Sequence, residues 1–174
     1  MSSADGLVPQ LRPLALRRGD RVALVSPAST PPVDEVTGTV RYLESLGLVV
    51  EVGTHALDEL KYLAGTDANR LADLNHAIRD PGIRAIVATR GGKGAYRIAD
   101  GLDFAALAAD PKLLIGFSEI TILHLAIWKN FFLASTVRLG TTALETNPPP
   151  LSSTLPFDPS RLSFVAEPMS QPWR

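Results

Sequence analysis

Apolar residues are laid along this chain in two alternating rhythms. Short runs rich in β-branched and aliphatic residues recur at Arg21 to Ser26 (RVALVS), Leu48 to Gly53 (LVVEVG), Arg84 to Thr89 (RAIVAT) and Lys112 to Phe117 (KLLIGF). Each is nearly continuous in apolar character and bounded by Gly, Pro or polar residues, which predicts buried strands. Between them the spacing changes to three and four. Val36, Val40, Leu43 and Leu46 form one stripe within Val33–Leu46, stopped by Gly47, and Leu71, Leu74 and Ile78 form another within Thr66–Arg79, stopped by Asp80-Pro81-Gly82. Both read as amphipathic helices with terminators. Shorter helical pieces are expected around Tyr96–Asp100 and Phe104–Ala109, and a last helix over Glu119–Lys129.

Strands alternating with helices predict an α/β domain with a largely parallel sheet. In such sheets ligands collect at the carboxyl ends of the strands. The loops expected there are Ser26-Pro27-Ala28-Ser29, Arg90-Gly91-Gly92-Lys93-Gly94 and Gly116 to Thr121. The rhythm ends after Thr146, where seven of the fourteen prolines lie and neither period survives. The chain divides on this reading into a lead segment (1–19), one domain (20–145) and a proline-rich, irregular tail (146–174).

Composition narrows the chemistry. The chain has 174 residues, 45% hydrophobic and 20% charged, as in an ordinary globular protein. A formal net charge of −1 gives no strong pull on nucleic acid or an anionic membrane surface. Cysteine is absent. Thiol catalysis, disulfides and cysteine-ligated zinc are therefore excluded, in keeping with a reducing compartment. The N-terminus lacks an apolar signal-peptide core, and the Leu113–Trp128 stretch is interrupted by Ser118, Glu119, Thr121 and His124. It is also shorter than the roughly 20 residues that span a bilayer. The expectation is a soluble, non-secreted, cytoplasmic protein.

Ser118 stands where the last predicted strand gives way to a helix. Such a junction can hold a serine oxygen in solvent with backbone amides behind it for an oxyanion. The sequence Gly116-Phe-Ser-Glu-Ile120 has the first glycine of the G-x-S-x-G elbow but isoleucine in place of the second. A helix N-cap is the competing role for the same serine. The glycine loop is neither a Walker A nor a dinucleotide fingerprint, because Gly94 follows Lys93 and no G-x-G-x-x-G opens a helix. It reads as a tight turn needing positive φ, or as a source of amides beside Ser118, with Arg90 binding a substrate carboxylate or buttressing the loop. His55, His76 and His124 have no metal-ligand spacing. By helical geometry His124 points around 240° away from Ser118, so no histidine is in place as its base.

Three blocks, DRVALVSPAS (20–29), GTDANRLADLNHAIRDPGIRAIVATRGGKGAYRIADGLD (65–103) and PKLLIGFSEITILHL (111–125), resemble in order and spacing the N-terminal half of the LD-carboxypeptidases, serine peptidases that include microcin-immunity proteins. The resemblance covers most of residues 20–130. It implies a flavodoxin-like domain, related in shape to class I amidotransferases. Ser118 falls on the nucleophile, and the amides of Glu119 (more often aspartate in the family) and Gly92 fall on the oxyanion hole. Arg90 and Gly91 fall on the substrate-binding loop. It implies a small peptide substrate such as a murein tetrapeptide or a peptide–nucleotide conjugate, with release of a terminal D-amino acid during cell-wall recycling. No metal or cofactor is implied, nor a nucleic-acid or membrane partner, and homodimers are the family habit.

The family's glutamate and histidine come from a C-terminal domain. The tail offers Glu145 and Glu167 but no histidine after His124, and Leu133 to Arg138 stands where a His-Gly block is usual. A change of reading frame near Asn130–Leu133 would account for both features. The expectation is a truncated, nearly inactive peptidase. The alternative is a non-catalytic flavodoxin-like domain that binds a ligand or partner.

Overall fold

The computed structural model describes residues 13–138, with side chains described for residues 13–130. Four strands alternate with four helices: β1 (Arg21–Val25), α1 (Val33–Ser45), β2 (Val49–Val52), α2 (Asp67–Arg79), β3 (Ile83–Ala88), α3 (Phe104–Ala109), β4 (Leu113–Ile115) and α4 (Thr121–Arg138). Short 3₁₀ turns occupy Ala95–Arg97, Ala99–Gly101 and Ser118–Ile120. The strands form one sheet in the order β2-β1-β3-β4, and every pairing is parallel. That is the strand order of a flavodoxin-like domain, as expected. Each predicted strand is present, trimmed at its ends, and both predicted amphipathic helices are present within a residue of their expected ends.

Sequence explains the boundaries. Helix α1 carries Asp34 and Glu35 in its first turn, where carboxylates complement the helix dipole. It stops at Gly47, whose φ of +86° suits only glycine well, and the amides of Gly47 and Leu48 turn back onto the carbonyls of Glu44 and Leu43. Thr66 caps α2 by accepting the amide of Asn69 at 3.1 Å. The final helix differs from expectation. It begins at Thr121 after a 3₁₀ turn and continues past Lys129 to Arg138.

The larger core lies on one side of the sheet. There Ala23, Val25 and Ile86 meet Leu74, Ala77 and Ile78 of α2, Leu107 of α3, and Ile120 and Leu123 at the start of α4. Leu74, Ile86, Ile120 and Leu123 are fully buried, and each such side chain contributes about 1.5–3 kcal/mol by leaving water. A smaller cluster on the other side joins Val22, Leu48 and Ala85 to Leu43 and Leu46 near the end of α1. Asn75 ties α2 to the segment before α3, donating to the Gly101 carbonyl and accepting the Asp103 amide, both at 2.9 Å. Among the described residues no helix is long and apolar enough to cross a membrane.

Gly38 lies inside α1 with helical backbone, and a methyl group there would meet nothing within 4 Å. Gly38→Ala therefore stabilises the domain by about 0.5–1 kcal/mol, chiefly by restricting the unfolded chain. Chemical denaturation should show the midpoint rising with an unchanged slope.

Candidate active site

The loops that leave the carboxyl ends of β1, β3 and β4 meet at one edge of the sheet. Strand β4 ends at Ile115, Phe117 is still extended (φ −141°, ψ −179°), and Ser118 then reverses the chain with φ +60°. Besides Lys61 (φ +58°), Ser118 is the only non-glycine residue at positive φ among the described residues. An L-residue held there costs about 1–2 kcal/mol. Ser118 is exposed and its hydroxyl caps nothing: α4 starts three residues later, and the 3₁₀ turn has no side-chain cap. The structure gives this serine no helix-capping role.

Ile120 shows how the turn is held. It is fully buried, and a Cβ on Gly116 would come within 2.6 Å of its Cγ2. The residue standing where a G-x-S-x-G elbow has its second glycine is therefore an apolar anchor, folded under the first glycine. Next to it, Glu119 buries Oε2 with no hydrogen-bond partner among the described residues.

The glycine loop crosses directly behind Ser118. A Cβ on Gly91 would stand 2.8 Å from Ser118 Cβ, 3.2 Å from its Oγ and 3.1 Å from the Phe117 carbonyl oxygen. Gly91 is buried, whereas Gly92 is exposed with φ +115°. Gly94, at φ +107°, packs against Leu63 and Arg70. The loop after β1 lies against the glycine loop on its other side: the Ser29 amide donates to the Gly91 carbonyl at 3.3 Å, and the Lys93 amide donates to Ser29 Oγ at 3.1 Å. Arg90 is half-buried and donates through Nη1 to the Thr30 carbonyl at 3.4 Å. The structure thus brings Ser118, Glu119, Arg90, Gly91 and Gly92 into one cluster with Ser29.

Behind the cluster stands a residue that sequence reasoning missed. Arg70 of α2 is 1% exposed and donates to the carbonyls of Gly65 (2.7 Å) and Gly94 (3.5 Å), while Asp67 pairs with both Arg70 and Arg97. Burial pushes the Asp67 carboxyl up, but Arg97 and Arg70 outweigh it and hold the group below its ordinary range. A signal was present in the sequence. Arg70 shares its helix face with Leu74 and Ala77, so an arginine sat in an apolar stripe.

None of the three histidines serves Ser118. His55 Nδ1 pairs with Asp58 at 2.8 Å, His76 Nε2 with Glu51 at 3.2 Å, and His124 Nε2 donates to the Leu114 carbonyl at 3.1 Å. Among the described residues no three His, Asp or Glu side chains gather as a metal site. A cavity of about 280 Å³ lies elsewhere, beside β2 and α2, lined in part by Glu51, His55, Asp73 and His76. Asp73 lies almost wholly out of water, accepts the His55 amide at 2.9 Å, and burial raises its carboxyl above the ordinary value.

Two outcomes follow from these contacts. Gly91→Ala forces a methyl group into Ser118 and costs about 1–3 kcal/mol as overpacking, read by thermal denaturation, in contrast to the gain at Gly38. Asp73→Asn keeps an acceptor for the His55 amide but removes the buried charge. A carboxyl whose folded pKa is raised destabilises the fold above that pKa and ceases to do so once protonated. The variant should therefore melt higher than the parent at pH 7, with the margin closing as pH falls through the carboxylate range.

Comparison with known proteins agrees with this geometry. The probable murein peptide carboxypeptidase of Bacillus subtilis (strain 168) is 42% identical over 119 residues, which cover 68% of this chain and 37% of that protein. The murein tetrapeptide carboxypeptidase of Pseudomonas aeruginosa is 44% identical over 104 residues, covering 59% and 34%. The structure of the microcin C7 self immunity protein MccF in complex with aspartyl sulfamoyl adenosine is similar with a TM-score of 0.63 at 28% identity, covering 68% of this chain and 36% of that one. The chain spans little more than a third of the length of these relatives. Residues 22–137 match the LD-carboxypeptidase N-terminal domain, and the chain belongs to that family.

Proposed function

We propose that this domain carries the nucleophile and the oxyanion-binding amides of an LD-carboxypeptidase, a serine peptidase that cleaves the amide between an L-centre and a terminal D-amino acid. The observation that supports it most is the exposed Ser118 at φ +60°, packed against a glycine that has no room for a side chain. Strained backbone held in place by its surroundings is characteristic of sites where geometry serves chemistry.

In this reading Ser118 Oγ attacks the amide carbonyl carbon, and the carbonyl oxygen becomes an oxyanion. The amides of Glu119 and Gly92 receive it. Glu119 is the second residue of its 3₁₀ turn, a position whose N–H has no acceptor within the turn. Collapse of the tetrahedral intermediate expels the D-amino acid as its amine and leaves an acyl-enzyme on Ser118, which water hydrolyses. Arg90 keeps donors beyond the one given to Thr30 and offers them to the substrate carboxylate, while the Gly91 backbone forms the floor of the binding loop. The proton from Ser118 needs a base, and the engagement of the three histidines supports a base supplied from outside the described residues. Until that base is supplied, only the weak rate that oxyanion stabilisation alone sustains is expected.

The substrate class proposed is a murein tetrapeptide in cytoplasmic cell-wall recycling, the substrate after which the Pseudomonas relative is named. An acylated nucleotide conjugate is the second candidate, because the MccF structure holds aspartyl sulfamoyl adenosine.

A fluorophosphonate probe tests the assignment without the base, since phosphylation of Ser118 leaves the phosphoryl oxygen in the oxyanion position, where the same amides stabilise it. Mass spectrometry should find the label on Ser118, at a rate at least about tenfold above that of the heat-denatured chain. Ser118→Ala should abolish it. Equal labelling of native and denatured chain, or labelling spread over other serines, refutes the assignment.

A further inference from the structure

We propose that Ser29 is the positioning residue of the oxyanion site, setting the direction of the Gly92 amide. This rests on the reading of Ser118 given above. Ser29 grips the glycine loop at two successive points: its amide donates to the Gly91 carbonyl and its Oγ accepts the Lys93 amide. The first grip fixes the peptide that contains the Gly92 N–H, because carbonyl and N–H of one peptide unit lie in one plane. No cis peptide bond is present among the described residues. In a trans peptide the carbonyl oxygen lies on the side of the following Cα, and the N–H lies on the side of the preceding one.

Both sides are identified here. The Gly92 Cα abuts Ser29 so closely that a Cβ would stand 2.1 Å from its Oγ, and the Gly91 Cα abuts Ser118. The Gly91 carbonyl drawn to Ser29 therefore turns the Gly92 N–H toward the Ser118 side. Gly92 needs its positive φ to allow the second grip, through Lys93, to close.

Ser29 is itself held on its far side. It bridges to Leu63, the Ala64 amide donates to the Ala28 carbonyl at 3.0 Å, and the Thr30 amide and hydroxyl donate to the carbonyls of Tyr62 and Leu63. The Leu60–Leu63 turn, with Lys61 in the left-handed region, is thus the rigid backing against which Ser29 works. Preorganised donors act only when their direction is fixed before the charge forms, so a hydroxyl that never touches substrate can govern the rate.

The test compares the parent chain with Ser29→Ala and Ser29→Thr. The first removes the Oγ acceptor and with it the grip on Lys93, leaving the backbone grip on the Gly91 carbonyl as the single restraint that keeps the Gly91–Gly92 peptide from swinging, and the second restores the lost grip. Fluorophosphonate labelling is measured over probe concentration, and amide hydrogen exchange is followed residue by residue. With Ser29→Ala the maximal labelling rate should fall by about tenfold or more, while the half-saturating concentration stays within about twofold. Exchange at Lys93 should quicken by a similar factor, with amides of β1 and β3 keeping their protection. Ser29→Thr should restore both. An unchanged maximal rate, unchanged Lys93 protection, or a parallel loss of protection across the whole sheet overturns the proposal, the last by showing a merely structural role. A parent chain that takes no probe defeats the Ser118 reading instead. The exchange arm then still decides whether Ser29 holds the loop: quickened Lys93 exchange upholds the clamp, and an unaltered rate refutes it.

Discussion

Everything at the carboxyl edge of this sheet depends on one van der Waals contact, the approach of the Gly91 Cα to Ser118. Neighbouring parallel strands run about 4.8 Å apart, so the loops leaving β3 and β4 must pass each other at close range. Any side chain at 91 would fill the space that the serine occupies. Ser118 in turn can approach because its backbone reverses at φ +60°, an arrangement that costs energy by itself. Ile120 supplies the offset. Its side chain is fully buried beneath Gly116, and Leu123, one helical turn on, is buried with it. Two large aliphatic side chains out of water outweigh one strained residue.

Charge supports the arrangement from the opposite side. Arg70 is a cation with almost no access to water, and its guanidinium is spent on the carbonyls of Gly65 and Gly94 and on Asp67. Its Nε has no partner among the described residues. A buried, incompletely satisfied cation is a poor source of stability. Its contacts instead fix the segment into which the glycine loop runs, Gly94 directly and Arg97 through Asp67. Hydrophobic burial holds the serine turn, and a buried ionic network shapes the loop behind it.

The sheet and its helices were legible because their residues obey simple periods. RVALV and IRAIVA are apolar on both faces, as strands covered on both sides must be, and Gly47 marks the end of α1 by its backbone alone. The meeting of the loops after β1, β3 and β4 was legible too, since parallel strands place their carboxyl ends together. Arg70 was not foreseen, because a charged residue in a helix is ordinarily read as surface. Nor could sequence tell a capping serine from a strained one. Both occupy a strand–helix junction, and the difference is a backbone angle set by tertiary contacts with Gly91 and Ile120. The division of labour within the glycine loop, with Gly91 facing Ser118 and Gly92 facing Ser29, likewise depends on which way each peptide turns.

The chemistry of the site divides along the same line. On the proposed reading, nucleophile orientation and oxyanion donation rest on backbone: a left-handed turn, a close glycine contact, and amides directed by peptide planarity. Such features tolerate side-chain replacement, because an amide is offered whatever side chain stands beside it. A general base is different, because it has to be a side chain of suitable pKa within hydrogen-bond reach of Ser118 Oγ. The three histidines are committed to Asp58, Glu51 and the Leu114 carbonyl. The two residues exposed just before the serine, Ile115 and Phe117, are apolar. Apolar surroundings strengthen hydrogen bonds to an oxyanion once water is excluded, yet they supply no acceptor for a proton. On the proposed reading oxyanion stabilisation is independent of proton transfer, and the two functions can be separated physically because only one of them requires a titratable side chain.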